Sequence, residues 1–106
     1  MKKIPANIRV EGNVIFLPIS LVLENAEKVF LDIISYFKKT SKKYESFILE
    51  FKELECYDSA IVAIILALLR AAQKKEMPIY FSNIEKGVID LAELGGVDNL
   101  IVQHII

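Results

Sequence analysis

The sequence has little of what enzymes and metalloproteins use for chemistry. It contains no tryptophan, one cysteine (Cys56) and one histidine (His104) in 106 residues. A single cysteine cannot form a disulfide within the chain, which is typical of a reducing compartment. With one thiol and one imidazole, most metal sites and most histidine-dependent acid–base machinery are excluded. We therefore expect no metal, no cofactor and no enzymatic activity.

The chain also lacks an excess of charge of either sign and any long apolar run. Its net charge is −1, which argues against a dedicated nucleic-acid protein because a basic surface would be expected. The longest apolar run, residues 60–69, is shorter than the about 20 residues that span a bilayer. No secretory signal follows Met1-Lys2-Lys3, because Pro5 and polar residues come next. The prediction is a cytoplasmic protein, or one held at the inner membrane by a partner.

What remains is rich enough in apolar residues to fold. The hydrophobic fraction is 54%, which excludes a disordered chain. The length matches one domain, predicted to span residues 1–106. Short β-prone runs at 7–10 and 14–17 flank Gly12-Asn13, a pair suited to the positive-φ positions of a hairpin turn. Pro18 ends the second run because it has no amide to donate.

The hydrophobic period then becomes helical between about residues 24 and 44. Six apolar residues share one face of this helix: Ala26, Val29, Phe30, Ile33, Ile34 and Phe37. A lysine cluster follows near its end: Lys38, Lys39, Lys42 and Lys43. We interpret the cluster as a solvated helix end that matches the helix dipole, the alternative being a contact for anionic lipid or an acidic partner.

Strands and helices alternate in the rest of the chain. Residues 46–51 are apolar on both faces, which predicts a central strand. The remaining predicted elements are a second helix over 59–75, a fourth strand over 79–81, a third helix over 84–94 and a last strand over 100–105. In the third helix, Val88, Leu91 and Leu94 are expected to face inward, and Gly95-Gly96 closes it. The order ββαβαβα(β) predicts an α/β domain with three helices and one mixed sheet of four or five strands.

The second predicted helix is more apolar than a helix covering a sheet needs to be. Its inward face is predicted to carry Ile61, Ile64, Ile65, Leu68, Leu69 and Ala72. Its outward side stays small or apolar until Arg70, so another backbone can approach closely. We therefore predict a protein-docking surface on this side, the alternative being cover by a neighbouring helix or a second copy. The predicted surface consists of Asp58, Ser59, Val62, Ala63, Leu66, Ala67 and Arg70.

Asp58 and Ser59 stand where the chain enters this helix. Either residue suits the N-cap, since its side-chain oxygen can accept an unpaired backbone N–H. Ser59 is also a candidate phosphorylation site, because the positive end of the helix dipole stabilises a phosphate. The neighbouring carboxylate of Asp58 would repel that phosphate unless it caps the loop or binds metal during transfer.

Other polar residues form no recognisable catalytic arrangement. Cys56 has no histidine close in sequence and is predicted to be a buried, inert thiol. His104 lies in an apolar tail and is predicted to be structural or exposed. Glu50, Glu53 and Glu55 would need an enclosed cleft to act as paired acid–base carboxylates. A small enzyme using Cys56 or these glutamates is the weakest alternative.

Three segments resemble the STAS domain family, which includes bacterial anti-sigma factor antagonists and small subunits of lipid-transport ABC systems. They are Phe47-Ile-Leu-Glu-Phe-Lys-Glu-Leu-Glu-Cys-Tyr-Asp-Ser-Ala, the apolar helix ending in Arg70-Ala-Ala-Gln-Lys-Lys, and Leu91-Ala-Glu-Leu-Gly-Gly-Val-Asp-Asn-Leu. In the antagonists a partner kinase phosphorylates a serine at the position of Ser59. In the transport subunits a serine or threonine there contacts the ATPase. The resemblance thus implies that Ser59 is the switch or contact residue and Asp58 its neighbour.

The sequence departs from the family at Ile61, where glycine is usual. A β-branched residue there is expected to crowd the helix start and restrict a kinase's access to Ser59. Together with the apolar helix and its basic ending, this departure favours a regulatory subunit of a Mla-type phospholipid ABC transporter. Such a subunit would dock on the ATPase through the N-terminal end of the second helix. The alternative is an anti-sigma factor antagonist switched by phosphorylation of Ser59.

Overall fold

The computed structural model of the protein describes residues 7–106, which form two β-sheets and four helices. The strands are β1 (Arg9–Glu11), β2 (Val14–Phe16), β3 (Ser20–Leu21), β4 (Phe47–Glu50), β5 (Cys56–Tyr57) and β6 (Ile79–Ser82). The helices are α1 (Leu23–Thr40), α2 (Ala60–Lys74), α3 (Lys86–Leu94) and α4 (Asp98–Val102). The α/β class is confirmed, with four helices where the sequence predicted three. The basic start of the chain and Pro5 lie outside the described residues.

The main sheet is mixed and has the strand order β1-β2-β4-β6. The predicted hairpin is confirmed, since β1 and β2 pair antiparallel across residues 12 and 13. Of the two turn residues, only Gly12 has a positive φ, 62°, as in a type II′ turn. The Asn13 side chain donates to the carbonyl of Ser46 at 3.1 Å. β4 pairs parallel with β2 on one side and β6 on the other. It is therefore the central strand that its apolar sequence predicted.

The core lies between the helices and one face of this sheet. The largest buried side chains of the strands include Ile15, Phe47, Leu49 and Phe81. They belong to one cluster with the inward stripe of α1 and with Ile61, Ile65 and Leu68 of α2. Both helical stripes that the sequence predicted face this core, with Phe30, Ile34 and Leu69 half-buried at their margins. No helix of residues 7–106 is both long and apolar enough to cross a membrane.

A two-stranded parallel sheet, absent from the prediction, joins the starts of α1 and α2. Ser20 pairs with Cys56 and Leu21 with Tyr57, and the carbonyl of Ile19 accepts from the amides of Glu55 and Cys56. Two-residue strands are too short to show a hydrophobic period, so only their pairing identifies them. The pairing places the segment before α1 beside the segment before α2.

Two predictions for the C-terminal third are wrong. The last strand, Leu100–Ile105, is instead helix α4 followed by a single bridge between Ile105 and Phe81. One residue of this segment, Ile101, is fully buried, and one helical turn suffices to place it in the core. Leu94 is 86% exposed rather than inward. Successive three-residue steps each drift about 60° around a helix, so 88, 91 and 94 do not share one face. Ala92 takes the inward position instead.

Candidate functional site

The candidate site lies where β5 leads into α2. The Asp58 carboxylate fixes the backbone there through two hydrogen bonds. The Oδ1 atom of Asp58 accepts a hydrogen bond from the amide of Ala60 at 2.9 Å. Its Oδ2 atom accepts one from the amide of Leu23 at 3.1 Å. Leu23 is the first residue of α1. One carboxylate therefore binds the N-terminal ends of two helices, where unpaired N–H groups and the positive dipole ends favour an anion.

Ser59 is left free by this arrangement. Its backbone is already helical, with φ −60° and ψ −16°, and its side chain is exposed. Among residues 7–106, no hydrogen bond to its hydroxyl group is present. Ser59 occupies the N-cap position of α2 but makes no side-chain cap bond. The carboxylate of Asp58, one residue earlier, accepts from the first helical amide instead, and the Ser59 hydroxyl remains available.

The predicted crowding by Ile61 does not occur. Its side chain is 0% exposed and points into the core, away from the exposed side of the helix that carries Ser59. The first turn of a helix spreads its side chains about 100° apart, so a residue two positions after Ser59 lies on the far side. The Ile61 side chain therefore does not cover Ser59.

The outward side of α2 is partly open. Ala63 and Arg70 are exposed, whereas Val62, Leu66 and Ala67 are half-buried. The protein's own fold therefore does not seal the predicted docking surface. Arg70 lies eleven residues after Ser59, roughly 16 Å along the helix axis. The predicted residues thus form a strip along the helix, with Asp58 and Ser59 at one end and Arg70 near the other.

Two exposed apolar residues near the start of α1 were not predicted. Leu23 is 76% exposed and Ile19 is 60% exposed. Leu23 reaches the site through its amide, which bonds to Asp58, and Ile19 through its carbonyl, which accepts from residues at the start of β5. No pattern in the sequence indicates this neighbourhood, because it depends on pairing between β3 and β5, about 35 residues apart. Leu23 therefore adds exposed apolar surface at the start of α1, whose first amide is bonded to Asp58.

The start of α3 is fixed against the same junction by Tyr57. Its hydroxyl donates a hydrogen bond to the Glu85 carboxylate at 3.1 Å. A Cβ atom at Gly87 would overlap the Tyr57 oxygen, so only glycine allows this approach. Burial, and secondly the Glu85 carboxylate, raise the pKa of Tyr57. The first turns of α1, α2 and α3 are therefore all tied to the segment of residues 57–58.

The residues considered for catalysis do not converge. Cys56 is exposed, not buried as predicted, because β5 pairs only with the two-residue β3. Glu50 accepts from the Asn83 side chain at 2.9 Å, whereas Glu53 pairs with Arg9 at 2.7 Å. His104 has a structural contact, with Nδ1 3.0 Å from the carbonyl oxygen of Ile79. Within residues 7–106, no three His, Cys, Asp or Glu side chains are grouped to hold a metal ion.

Comparison with known structures identifies the same fold in several proteins. A proposed anti-sigma factor antagonist from Thermotoga maritima is 20% identical, with a TM-score of 0.69 over 93% of this chain and 83% of the other. The anti-sigma factor antagonist SpoIIAA in its unphosphorylated form is 16% identical, with a TM-score of 0.69 over 94% and 84%. SLC26A9 is 16% identical, with a TM-score of 0.67 over 87% of this chain, which covers 17% of SLC26A9.

Comparison with curated protein sequences finds no match. The family model of the STAS domain, in contrast, matches residues 5–106. This match covers almost all of the chain and agrees with the fold and with the sequence resemblance described above. The chain therefore belongs to the STAS domain family.

Proposed function

We propose that this protein is a regulatory domain that acts by binding another protein, in the manner of an anti-sigma factor antagonist, and that phosphorylation of Ser59 switches this binding. The observation that carries the proposal is the free, exposed hydroxyl of Ser59 beside a carboxylate that already caps α2. Two of the proteins with the same fold are described as anti-sigma factor antagonists, one of them in an unphosphorylated form.

A phosphate on Ser59 changes this site in two ways. It brings a charge of about −1.5 to −2 next to Asp58, and the repulsion weakens the hold of that carboxylate on the amides of Leu23 and Ala60. It also places a charge near two apolar side chains, the exposed Leu23 and the half-buried Val62. A partner that buries these side chains would have to desolvate the phosphate, which is costly without a matching cation. We therefore propose that the unphosphorylated form binds the partner and the phosphorylated form releases it.

The other function considered from the sequence, docking on a phospholipid-transport ATPase, has weaker support. Crowding of Ser59 by the Ile61 side chain would favour it, but that side chain is buried in the core. None of the structural comparisons described above is with a subunit of an ABC transporter. The apolar strip on α2 suits either partner and does not distinguish them.

The deciding experiment is capture of the partner followed by a phosphorylation assay. Immobilised protein is incubated with cytosolic and with membrane extracts of the source cells, and the captured proteins are identified by mass spectrometry. We expect a soluble protein kinase which, with ATP, adds one phosphate to the wild-type chain and none to Ser59→Ala. Recovery of an ABC ATPase without phosphorylation of Ser59 would overturn the proposal.

A charge on the docking surface is expected to disrupt binding without unfolding the protein. Ala63 is exposed, so Ala63→Glu should fold normally yet lower the affinity for the captured partner at least tenfold, because an unpaired carboxylate would be buried in the contact. Lys74→Glu, at the other end of the same helix, adds a negative charge outside the predicted surface and should bind normally. Equal binding by Ala63→Glu and the wild type, measured by calorimetry, would place the contact elsewhere.

A further inference from the structure

A cleft lies between the C-terminal half of α2 and helix α4, and it shares Leu66 and Arg70 with the predicted docking surface. Its volume is about 570 Å³, within the range of about 300–1,000 Å³ typical of small-molecule sites. The turn from α2 into β6, with Met77 and Ile79, contributes to its lining. The cleft is open on one side, so a ligand can enter without movement of the helices.

The α2 wall of the cleft changes from apolar to polar along its length. Leu66, Leu69, Arg70 and Gln73 line it, and their spacing of i, i+3, i+4 and i+7 places them on one stripe of the helix. The stripe is about 10 Å long. An elongated ligand lying along it would meet leucine side chains first, and then a guanidinium group and an amide.

The opposite wall, formed by α4 and the two residues after it, also combines apolar and polar side chains. Leu100 lines the cleft and is still 50% exposed, so it offers apolar surface that the protein's own fold does not cover. Gln103 adds an amide, and the His104 ring is held in place by the bond from Nδ1 to the Ile79 carbonyl. Apolar side chains thus face the ligand from both walls, with polar groups beside them.

The charge of the cleft favours an anion at Arg70. In residues 7–106, ion pairs involve the cations Arg9, Lys28 and Lys86, and none involves Arg70. A guanidinium group without a carboxylate partner is well suited to bind one, because its N–H groups match the two carboxylate oxygens. The carboxylate of Glu76, beyond the end of α2, also lines the cleft and repels negative charge, so a ligand carboxylate is favoured only beside Arg70 and a second one is disfavoured.

We propose that this cleft binds a small amphipathic monocarboxylate, such as a medium-chain fatty acid. The acyl chain lies against Leu66, Leu69 and Leu100, and the carboxylate is bound by Arg70. A neutral ligand of the same length loses the contact with Arg70, and a cation of that length is repelled by it. The proposal concerns the protein without a partner and is independent of any modification of Ser59.

The test is titration of the ¹⁵N-labelled protein with octanoate, followed by NMR. We expect saturable shifts at the amides of Arg70, Leu100 and His104. Arg70→Gln should weaken octanoate binding about tenfold, the value of one charged hydrogen-bonding contact, and leave octan-1-ol binding unchanged. Lys74→Gln removes the same charge from the same helix outside the cleft and should change the affinity less than twofold.

Leu100→Ser tests the apolar part and should weaken both octanoate and octan-1-ol. Arg70 and Leu100 are exposed or half-exposed, so both variants should keep the wild-type circular dichroism spectrum. The proposal is overturned if octylammonium binds as tightly as octanoate, if Arg70→Gln and Lys74→Gln have equal effects, or if the shifts map outside the cleft. Failure to saturate with octanoate at millimolar concentration would overturn it as well.

Discussion

Gly87 is a residue whose lack of a side chain decides how two elements meet. It lies in the first turn of α3, where alanine would ordinarily be favoured by up to about 1 kcal/mol over glycine. The Tyr57 oxygen occupies the space of its missing Cβ and is hydrogen-bonded to Glu85. Helix propensity is thus overridden by a close tertiary contact.

We predict that Gly87→Ala lowers the free energy of unfolding by about 1–3 kcal/mol, the usual cost of overpacking. In a Tyr57→Phe background the clashing oxygen is gone and only the ring carbon Cζ, 3.3 Å from the new Cβ, stays close, so the same substitution should cost markedly less. Urea unfolding of the four proteins in this double-mutant cycle measures the coupling. An equal loss in both backgrounds would show that Tyr57 is not the obstacle.

At the scale of elements, α2 and α3 end in the same motif with different residues. In each helix the amide two positions after the C-cap bonds to a carbonyl in the last turn: Met77 to Ala72, and Val97 to Ala92. The residue in between has a positive φ, 54° at Glu76 and 72° at Gly96. This is the Schellman arrangement, which glycine enters most easily. The expected role of Gly95-Gly96 in closing α3 is confirmed, whereas α2 achieves the same turn with a glutamate.

Replacing Glu76 by glycine and replacing Gly96 by alanine should change the free energy of unfolding in opposite directions. Glu76→Gly should raise the free energy of unfolding by about 0.5–1 kcal/mol, because a left-handed conformation costs a non-glycine residue about 1–2 kcal/mol and glycine entropy offsets part of the gain. Gly96→Ala should lower it by about 1 kcal/mol through conformation alone, since nothing lies within 4 Å of a Cβ there. Thermal and urea unfolding check both values. Destabilisation by Glu76→Gly would mean that the carboxylate makes a compensating contribution.

At the scale of the whole molecule, two tyrosine hydroxyls connect separate elements. Tyr36 of α1 donates to the carbonyl of Gly12 in the hairpin at 2.6 Å, and Tyr57 of β5 donates to Glu85 at the start of α3. Burial raises the pKa of both hydroxyls, with smaller contributions from Tyr44 and Glu85 respectively. Both connections require the protonated phenol, because a phenolate has no hydrogen to donate.

The pKa directions predict a loss of stability in alkali. A pKa raised in the folded state means that the folded protein keeps its proton at a pH where the unfolded chain has lost it. The contribution of these hydroxyls to stability is therefore complete below their pKa of about 10 in the unfolded chain, and it is lost as the pH rises through their pKa in the folded protein. We expect the urea midpoint to fall more steeply above pH 10 in the wild type than in a Tyr36→Phe, Tyr57→Phe double variant. Parallel curves would show that these hydroxyls do not carry the pH dependence.

The sequence by itself determined the features that repeat along the chain. The inward stripes of α1 and α2, the hairpin at Gly12 and the central position of β4 all follow from local periods of apolar residues, because burial of one face is enough to define such an element. The preference of helix starts for aspartate or serine also predicted an N-terminus at residues 58–59, and the family resemblance made Ser59 the candidate switch or contact residue.

The tertiary structure alone decided what depends on residues far apart in the chain. The β3–β5 pairing, the Asp58–Leu23 hydrogen bond and the exposure of Cys56 have no local period, so the sequence carries no signal for them. The same holds for α4, where a single buried side chain, Ile101, sets the conformation of an apolar segment that suits either strand or helix. The Asp58 carboxylate accepts a hydrogen bond from the amide of Leu23, 35 residues earlier in the chain, and only the folded backbone brings those two groups together.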